Sequence, residues 1–211
     1  MSLNEQVILV TGAGGGLGGT AAQALAGQGA QVILLDKSIP KLEKVYDAIV
    51  AAGGPEPVMY PFDLAGASEA QYEEMAEAIA QRYGVLHGVL HAAVEFSAYS
   101  PIANYKTKDW GHALNVNLSA PFLLCRVLLP LLQRSEHASI VFISDSSARK
   151  VQAYSGAYGV AKSLWKASPV FWLPNWKQGK KSGLIPWCRG RWIRRYGKEL
   201  TPRKTKPRCQ A

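Results

Sequence analysis

Thr11-Gly12-Ala13-Gly14-Gly15-Gly16-Leu17-Gly18 decides the fold of this chain, because of what stands on either side of it. The apolar, β-branched run Gln6 to Thr11 before it reads as a buried strand, and Leu17 to Ala26 after it reads as a helix. Glycines at such a strand-to-helix turn have separate tasks. Gly12 can take a tight turn, Gly16 lets the backbone approach a pyrophosphate, and Gly18 lets helix and strand pack closely, while the helix N-terminus faces the anion. Gly14, Gly15 and Leu17 complete the cradle. A carboxylate about 20 residues further on belongs to the same pattern. Asp36 closes the next apolar run and can accept from both hydroxyls of an adenosine ribose. A 2′-phosphate would meet negative charge there, so NAD is expected over NADP, although the neighbouring Lys37 softens the preference.

The same alternation continues outward. Gln31 to Leu35, Val58 to Phe62, Leu86 to Ala92 and Ser139 to Ser144 read as further strands; Ile39 to Ala52, Ser68 to Tyr83 and Trp110 to Leu132 read as helices. β-then-α units with nearly continuous apolar strands predict a parallel sheet covered on both faces, a doubly wound α/β domain of the Rossmann type. Asp63 closes the third strand and, with Leu64, suits the edge of an adenine ring; a helix cap is the competing reading of Asp63.

Charge divides the chain. Residues 1 to 162 carry 11 Lys+Arg and 14 Asp+Glu, a net of −3, whereas the last 49 residues carry 13 Lys+Arg and a single acid, a net of +12, with five of the six tryptophans. The overall +9 therefore describes neither part. Cys125, Cys188 and Cys209 have no metal-ligand spacing, and His87 with His91, four apart on a strand, lacks the carboxylates or thiols of a metal site. No metal is expected. The first residues lack a basic segment and the run Ala120 to Leu132 is interrupted by Arg126 and two prolines, so no signal peptide or membrane span is read and a soluble cytoplasmic protein is expected.

Tyr158 and Lys162 lie four apart, on one face of a helix. A phenol with pKa near 10 is a poor base at neutral pH; a neighbouring ammonium favours the phenolate and brings that value toward the working range. Such a tyrosine can take a proton from an alcohol, or return one to a carbonyl, while a nicotinamide carries the hydride.

With these residues in place, the stretch from about residue 6 to 162 resembles the short-chain dehydrogenase/reductase family. Thr11, Gly12, Gly16 and Gly18 match its Thr-Gly-x-x-x-Gly-x-Gly pattern, and Tyr158 and Lys162 its Tyr-x-x-x-Lys. The resemblance implies an NAD(P)-dependent oxidoreductase acting on a small alcohol or carbonyl, with homo-oligomers in the intact form. It implies Tyr158 as acid/base, Lys162 tuning it and holding the cofactor ribose, and Asn117 as the helix asparagine that holds a relay water. A polar helix residue bonded to nearby backbone is the plainer reading of Asn117.

Two departures qualify the carry-over. Where the family usually has Asn-Asn-Ala-Gly after the fourth strand, this chain has His91-Ala92-Ala93-Val94, so Ala92 and Ala93 would flank the cofactor without amide side chains. The family's substrate-binding serine lies about 13 residues before the tyrosine, and that slot holds Asp145, flanked by Ser144 and Ser146. A carboxylate there only accepts hydrogen bonds, repels an alkoxide and opposes Lys162. Either Ser144 or Ser146 serves, or Asp145 is protonated, or the site is catalytically poor; a noncatalytic NAD-binding protein is then the alternative.

Past Lys162 the family pattern stops. Trp165, Trp172, Trp176, Trp187 and Trp192 stand among lysines, arginines and prolines with no helical or alternating period. A nucleic-acid arm is one reading, since basic groups neutralise phosphates and indoles stack on bases. A frameshift near residues 163 to 165 is preferred. Read one base out of register, the permitted codons can spell an amphipathic helix, a Val-Asn strand and a Pro-Gly turn, with wobble bases leaving most positions free. The invariant final G of the tryptophan codon forces Glu at the Trp165/Lys166 and Trp176/Lys177 junctions, Val at Trp187/Cys188 and Asp at Trp192/Ile193. The chain thus divides into a dinucleotide-binding domain over residues 1 to 162 and a tail over 163 to 211. Its C-terminal strands and lid are missing or replaced, and Ser139 to Ser144 is expected as an exposed sheet edge.

Overall fold

A computed structural model describes residues 2–144, 152–164, 183–188 and 191–192. Seven strands form one sheet in the order β3-β2-β1-β4-β5-β6-β7. These are β1 (Val7–Thr11), β2 (Gln31–Asp36), β3 (Val58–Pro61), β4 (Gly88–His91), β5 (Ser139–Ser144), β6 (Gly183–Cys188) and β7 (Arg191–Trp192). The first six run parallel, and β7 returns antiparallel on β6. Among the described residues six α-helices accompany them: α1 (Gly16–Ala26), α2 (Ile39–Ala51), α3 (Glu69–Tyr83), α4 (Thr107–Leu114), α5 (Ala120–Leu132) and α6 (Gly156–Leu164).

Alternation along the strands produces two cores. In β1 Val7 and Leu9 face one layer while Val10 faces the other; in β2 Ile33 and Leu35 oppose Val32 and Leu34. The first layer packs on α3 and α5 through Tyr72, Met75, Leu124 and Leu128, the second on α1 and α2 through Ala22, Leu42 and Ile49. A sheet apolar on both faces is what its nearly unbroken hydrophobic strands require. Truncating a buried side chain such as Leu128 to alanine costs about 2–5 kcal/mol.

Two differences from the sequence reading stand out. The helix expected from Trp110 begins at Thr107 and passes through a π turn at Asn115–Ser119. The whole run Thr107–Leu132 is long and apolar enough to cross a membrane, with mean hydropathy 1.5, but 44% of its most apolar window is buried inside the protein. Its inner face is the Leu124, Leu128 and Leu132 stripe of the core.

The expectation of an exposed β5 edge is corrected. Gly183–Cys188 pairs in parallel with the whole of β5, from Ser139 against Gly183 to Ser144 against Cys188, and so replaces the sixth strand. β-period was hard to see there because Pro186 interrupts it. Among the described residues β7 pairs only with Trp187 and Cys188 of β6, so Pro186 has no partner on that side.

Candidate active site

The strand order reverses between β1 and β4, and there the C-terminal ends of the parallel strands open a crevice of about 210 Å³. Gly12, Gly15, Asp36, Asp63, Leu64, Ala92 and Ala93, all expected around a cofactor, line it. Gly12 has φ +65°, and a Cβ there would lie 2.6 Å from the Cα of Ala93. A Cβ on Gly18 would fall 2.1 Å from the Gly12 carbonyl oxygen, so α1 packs on its own entry loop at glycine distance. Gly16 differs: its missing Cβ points into open space, so nothing in the described protein requires the glycine. Leu17 is exposed.

α1 is capped by Gly15 without a side-chain hydrogen bond and has no acid in its first turn. Its positive end is therefore open to an anion. Asp36 organises the neighbouring loop: Oδ2 accepts from the Gly14 N–H at 3.1 Å and Oδ1 from the Ser38 N–H at 3.0 Å. Asp63 is no helix cap. Its Oδ1 accepts from Ala65 N–H, while Ser68 and Gln71 form the capping box of α3. Burial, followed by the Asp63 charge, pushes the Tyr72 phenol up to about 12, and that hydroxyl donates to the Leu64 carbonyl.

The far wall begins at β4. Thr11 Oγ1 accepts from the N–H groups of both Ala92 and Ala93 at 3.2 Å, fixing the strand end without asparagine amides. Asn117, buried in the π turn, grips Glu95: its Oδ1 accepts from Glu95 N–H at 3.2 Å and its Nδ2 donates to Glu95 O at 2.7 Å. The same Nδ2 donates to Ala113 O at 2.8 Å, inserting a side chain into the helical ladder. The backbone-bonded reading of Asn117 describes the bond to Ala113, whereas the two bonds to Glu95 join distant parts of the chain, were not expected, and hold the loop that lines the crevice.

Tyr158 and Lys162 stand one turn apart on α6. Lys162 is 6% exposed; its Nζ donates to the Ile143 carbonyl at 3.0 Å and lies 5.7 Å from the centre of the Tyr158 ring. Phe96 packs edge-on against that ring. The pair therefore sits at the end of β5, beside the β4 loop that carries Ala92 and Ala93. Ser144 ends β5; Asp145 and Ser146 lie outside the described residues.

His87 and His91 engage different partners. His87 Nδ1 accepts from Val7 N–H, whereas His91 stacks on Phe142 and sets Nε2 3.4 Å from the Cys125 sulfur. Burial, then the Lys162 charge, lowers the His91 pKa to about 3, and burial raises the Cys125 thiol to about 12. Lys41, Phe62, Glu95 and Val116 also line the crevice and were not read from the sequence. Lys41 is brought there by the first turn of α2, Phe62 by its place directly after β3, and Glu95 by the asparagine grip, which has no sequence signature.

The family model described as short chain dehydrogenase matches residues 6–166. The chain belongs to this family, whose members bind a nicotinamide cofactor. It is 38% identical over 160 residues to the uncharacterized oxidoreductase YciK of Escherichia coli K12, covering 76% of this chain and 64% of that protein. The chain thus spans less than two thirds of that curated relative. A short-chain dehydrogenase structure from Pseudomonas syringae superposes with TM-score 0.81 at 39% identity, covering 85% of this chain and 73% of the other. One from Escherichia coli CFT073, complexed with NADPH, gives TM-score 0.81 at 34% identity over 88% and 75%.

Proposed function

We propose that this protein is an NAD(P)-dependent oxidoreductase that interconverts an alcohol and a carbonyl compound. The observation that carries the proposal is the buried Lys162 ammonium, one helical turn from Tyr158 and fixed to the end of β5. A cation so placed favours the phenolate over the phenol, so Tyr158 can accept a proton from a substrate hydroxyl or donate one to a carbonyl oxygen. The open α1 N-terminus and the uncrowded Gly16 suit a pyrophosphate, and Asp36 and Leu64 suit the adenosine end. When bound, the nicotinamide supplies the hydride acceptor or donor. Asn117 acts by holding the Glu95 loop, and Ser144, with Asp145 and Ser146, remains the proposed contact for the substrate oxygen.

The expected preference for NAD over NADP gains no support from the relatives, one of which is complexed with NADPH. Both Asp36 oxygens already accept a backbone N–H, and Lys37 and Lys41 line the same crevice. We therefore assign both dinucleotides to the site, with the lysines serving the 2′-phosphate. Titration of the full chain with NADH and NADPH tests this. Lys41→Ala weakens NADPH by about tenfold and leaves NADH unchanged, the worth of one charge-assisted hydrogen bond. Equal loss for both would refute the assignment.

A second reading, a noncatalytic family member whose coding frame shifts near residue 163, is favoured by the end of the family match at residue 166. The nucleotide sequence across that codon tests it. A second frame lacking the helix, Val-Asn strand and Pro-Gly turn removes it.

A further inference from the structure

Beside the polar crevice lies a second cavity of different character. It measures about 610 Å³ and is lined by Ile102, Tyr105, Trp110 and Tyr154 with Ser100, Thr107 and Gly156. No charged side chain lines it among the described residues, whereas Asp36, Lys37, Lys41, Asp63 and Glu95 all border the first. The two differ in what they can desolvate: the first suits an anion, the second an uncharged apolar group.

A run of aromatic rings leads from the reacting tyrosine to this cavity. Phe96 contacts the Tyr158 ring edge-on with centroids 5.1 Å apart, and Tyr99 contacts Phe96 in the same way at 5.1 Å. Tyr99 joins Ser100 in the chain, and Ser100 lines the cavity. Phe96, Tyr99 and Tyr154 are exposed, and Ile102 is 95% exposed, so apolar surface is left open along the whole route.

The backbone supports the wall at a cost. Tyr154 has φ +67°, a left-handed conformation that a bulky residue rarely adopts, and Gly156 has φ +53° with a missing Cβ that would meet the Tyr105 ring at 2.2 Å. Ser100 N–H donates to the Tyr154 carbonyl at 3.0 Å, and Tyr99 hydroxyl bonds Gln152 Oε1, which together hold this segment against the β4 loop. Strain of this kind persists where the surroundings impose it, and here it turns Tyr154 into the cavity wall.

We propose that the substrate carries an uncharged apolar arm, which lies along Phe96 and Tyr99 and ends in the cavity of Ile102, Tyr105, Trp110 and Tyr154. This rests on the reading of Tyr158 as the group that meets the substrate oxygen. The substrate class is then an alcohol or ketone with an aliphatic or aromatic tail several carbons long. Short polar alcohols reach Tyr158 without filling the second cavity.

Calorimetric titration of the full chain with methyl ketones of four to ten carbons tests the proposal. Affinity rises about fourfold for each methylene buried. Ile102→Asp and Tyr154→Ser, at exposed positions whose change leaves the core intact, flatten this dependence, and Val50→Asp on the remote exposed face of α2 preserves it. A flat series in the unmodified protein, the same slope in Ile102→Asp, or loss of slope in Val50→Asp would overturn the proposal. Hydride transfer is measured separately with NADPH. A steep binding series without turnover upholds the arm site and removes the oxidoreductase reading, whereas turnover with a flat series removes the arm site alone.

Discussion

The Lys162 ammonium donates to the main-chain carbonyl of Ile143 at 3.0 Å, tying α6 to the penultimate residue of β5. A buried cation is tolerated only with partners, and a carbonyl at the end of a sheet strand is a partner that cannot move. The charge is thereby fixed relative to Tyr158. Lys162→Met, which keeps the bulk and removes the charge, lowers turnover at neutral pH by about 100-fold or more. Raising the pH in steady-state assays restores part of the rate, since an unassisted phenol ionises near 10. A uniformly low rate across pH would indicate a purely structural lysine.

Asn117 closes three hydrogen bonds to Glu95 and Ala113 from inside the π turn. Asn117→Asp loses both donations and costs about 1–3 kcal/mol for each carbonyl left unpaired. Urea unfolding measures the loss, and dinucleotide titration shows a weaker Kd because the Glu95 loop lines the crevice. Unchanged stability would show that the grip contributes nothing.

Gly18→Ala places a Cβ on the Gly12 carbonyl. The entry loop must shift away from α1, and dinucleotide affinity falls at least about tenfold, the effect of roughly 1.4 kcal/mol of lost complementarity. Gly16→Ala, into open space, leaves thermal stability unchanged but weakens the same ligand. Affinity unchanged from that of the unmodified protein in both variants would contradict the placement of the pyrophosphate.

His91 is neutral in the fold with its pKa lowered from 6.5 to about 3, by burial first and the Lys162 charge second. Between these values the unfolded chain binds a proton that the folded chain refuses. Stability from this group is therefore complete above pH 6.5 and declines as pH falls toward 3, by up to about 1.4 kcal/mol per pH unit. Denaturant midpoints across this window fall less steeply in His91→Gln. Parallel slopes for the two proteins would place the protonation elsewhere.

Much of this architecture was legible in residue order. β5 begins and ends where its apolar run does, and Gly12, Asp36, Asp63, Ala92 and Ala93 come together as their positions at strand ends require. What could not be read has a common cause. The Asn117 grip, the Thr11 bonds to Ala92 and Ala93, and the approach of Lys41 all join elements distant in the chain. β6 was missed because its proline breaks the apolar period; the parallel pairing that defines it depends on β5, 39 or more residues earlier. The left-handed Tyr154 leaves no trace in composition, since a bulky residue is rarely found in that conformation.

Tyr158→Phe tests the central claim most directly, because it removes one hydroxyl and keeps the ring that packs on Phe96. With NADPH and a long-chain methyl ketone, the substitution lowers kcat by about 10²–10⁴-fold, the range of lost acid/base catalysis, while the variant still binds the dinucleotide. A phenylalanine variant that reduces the ketone as fast as the unmodified protein would contradict the account.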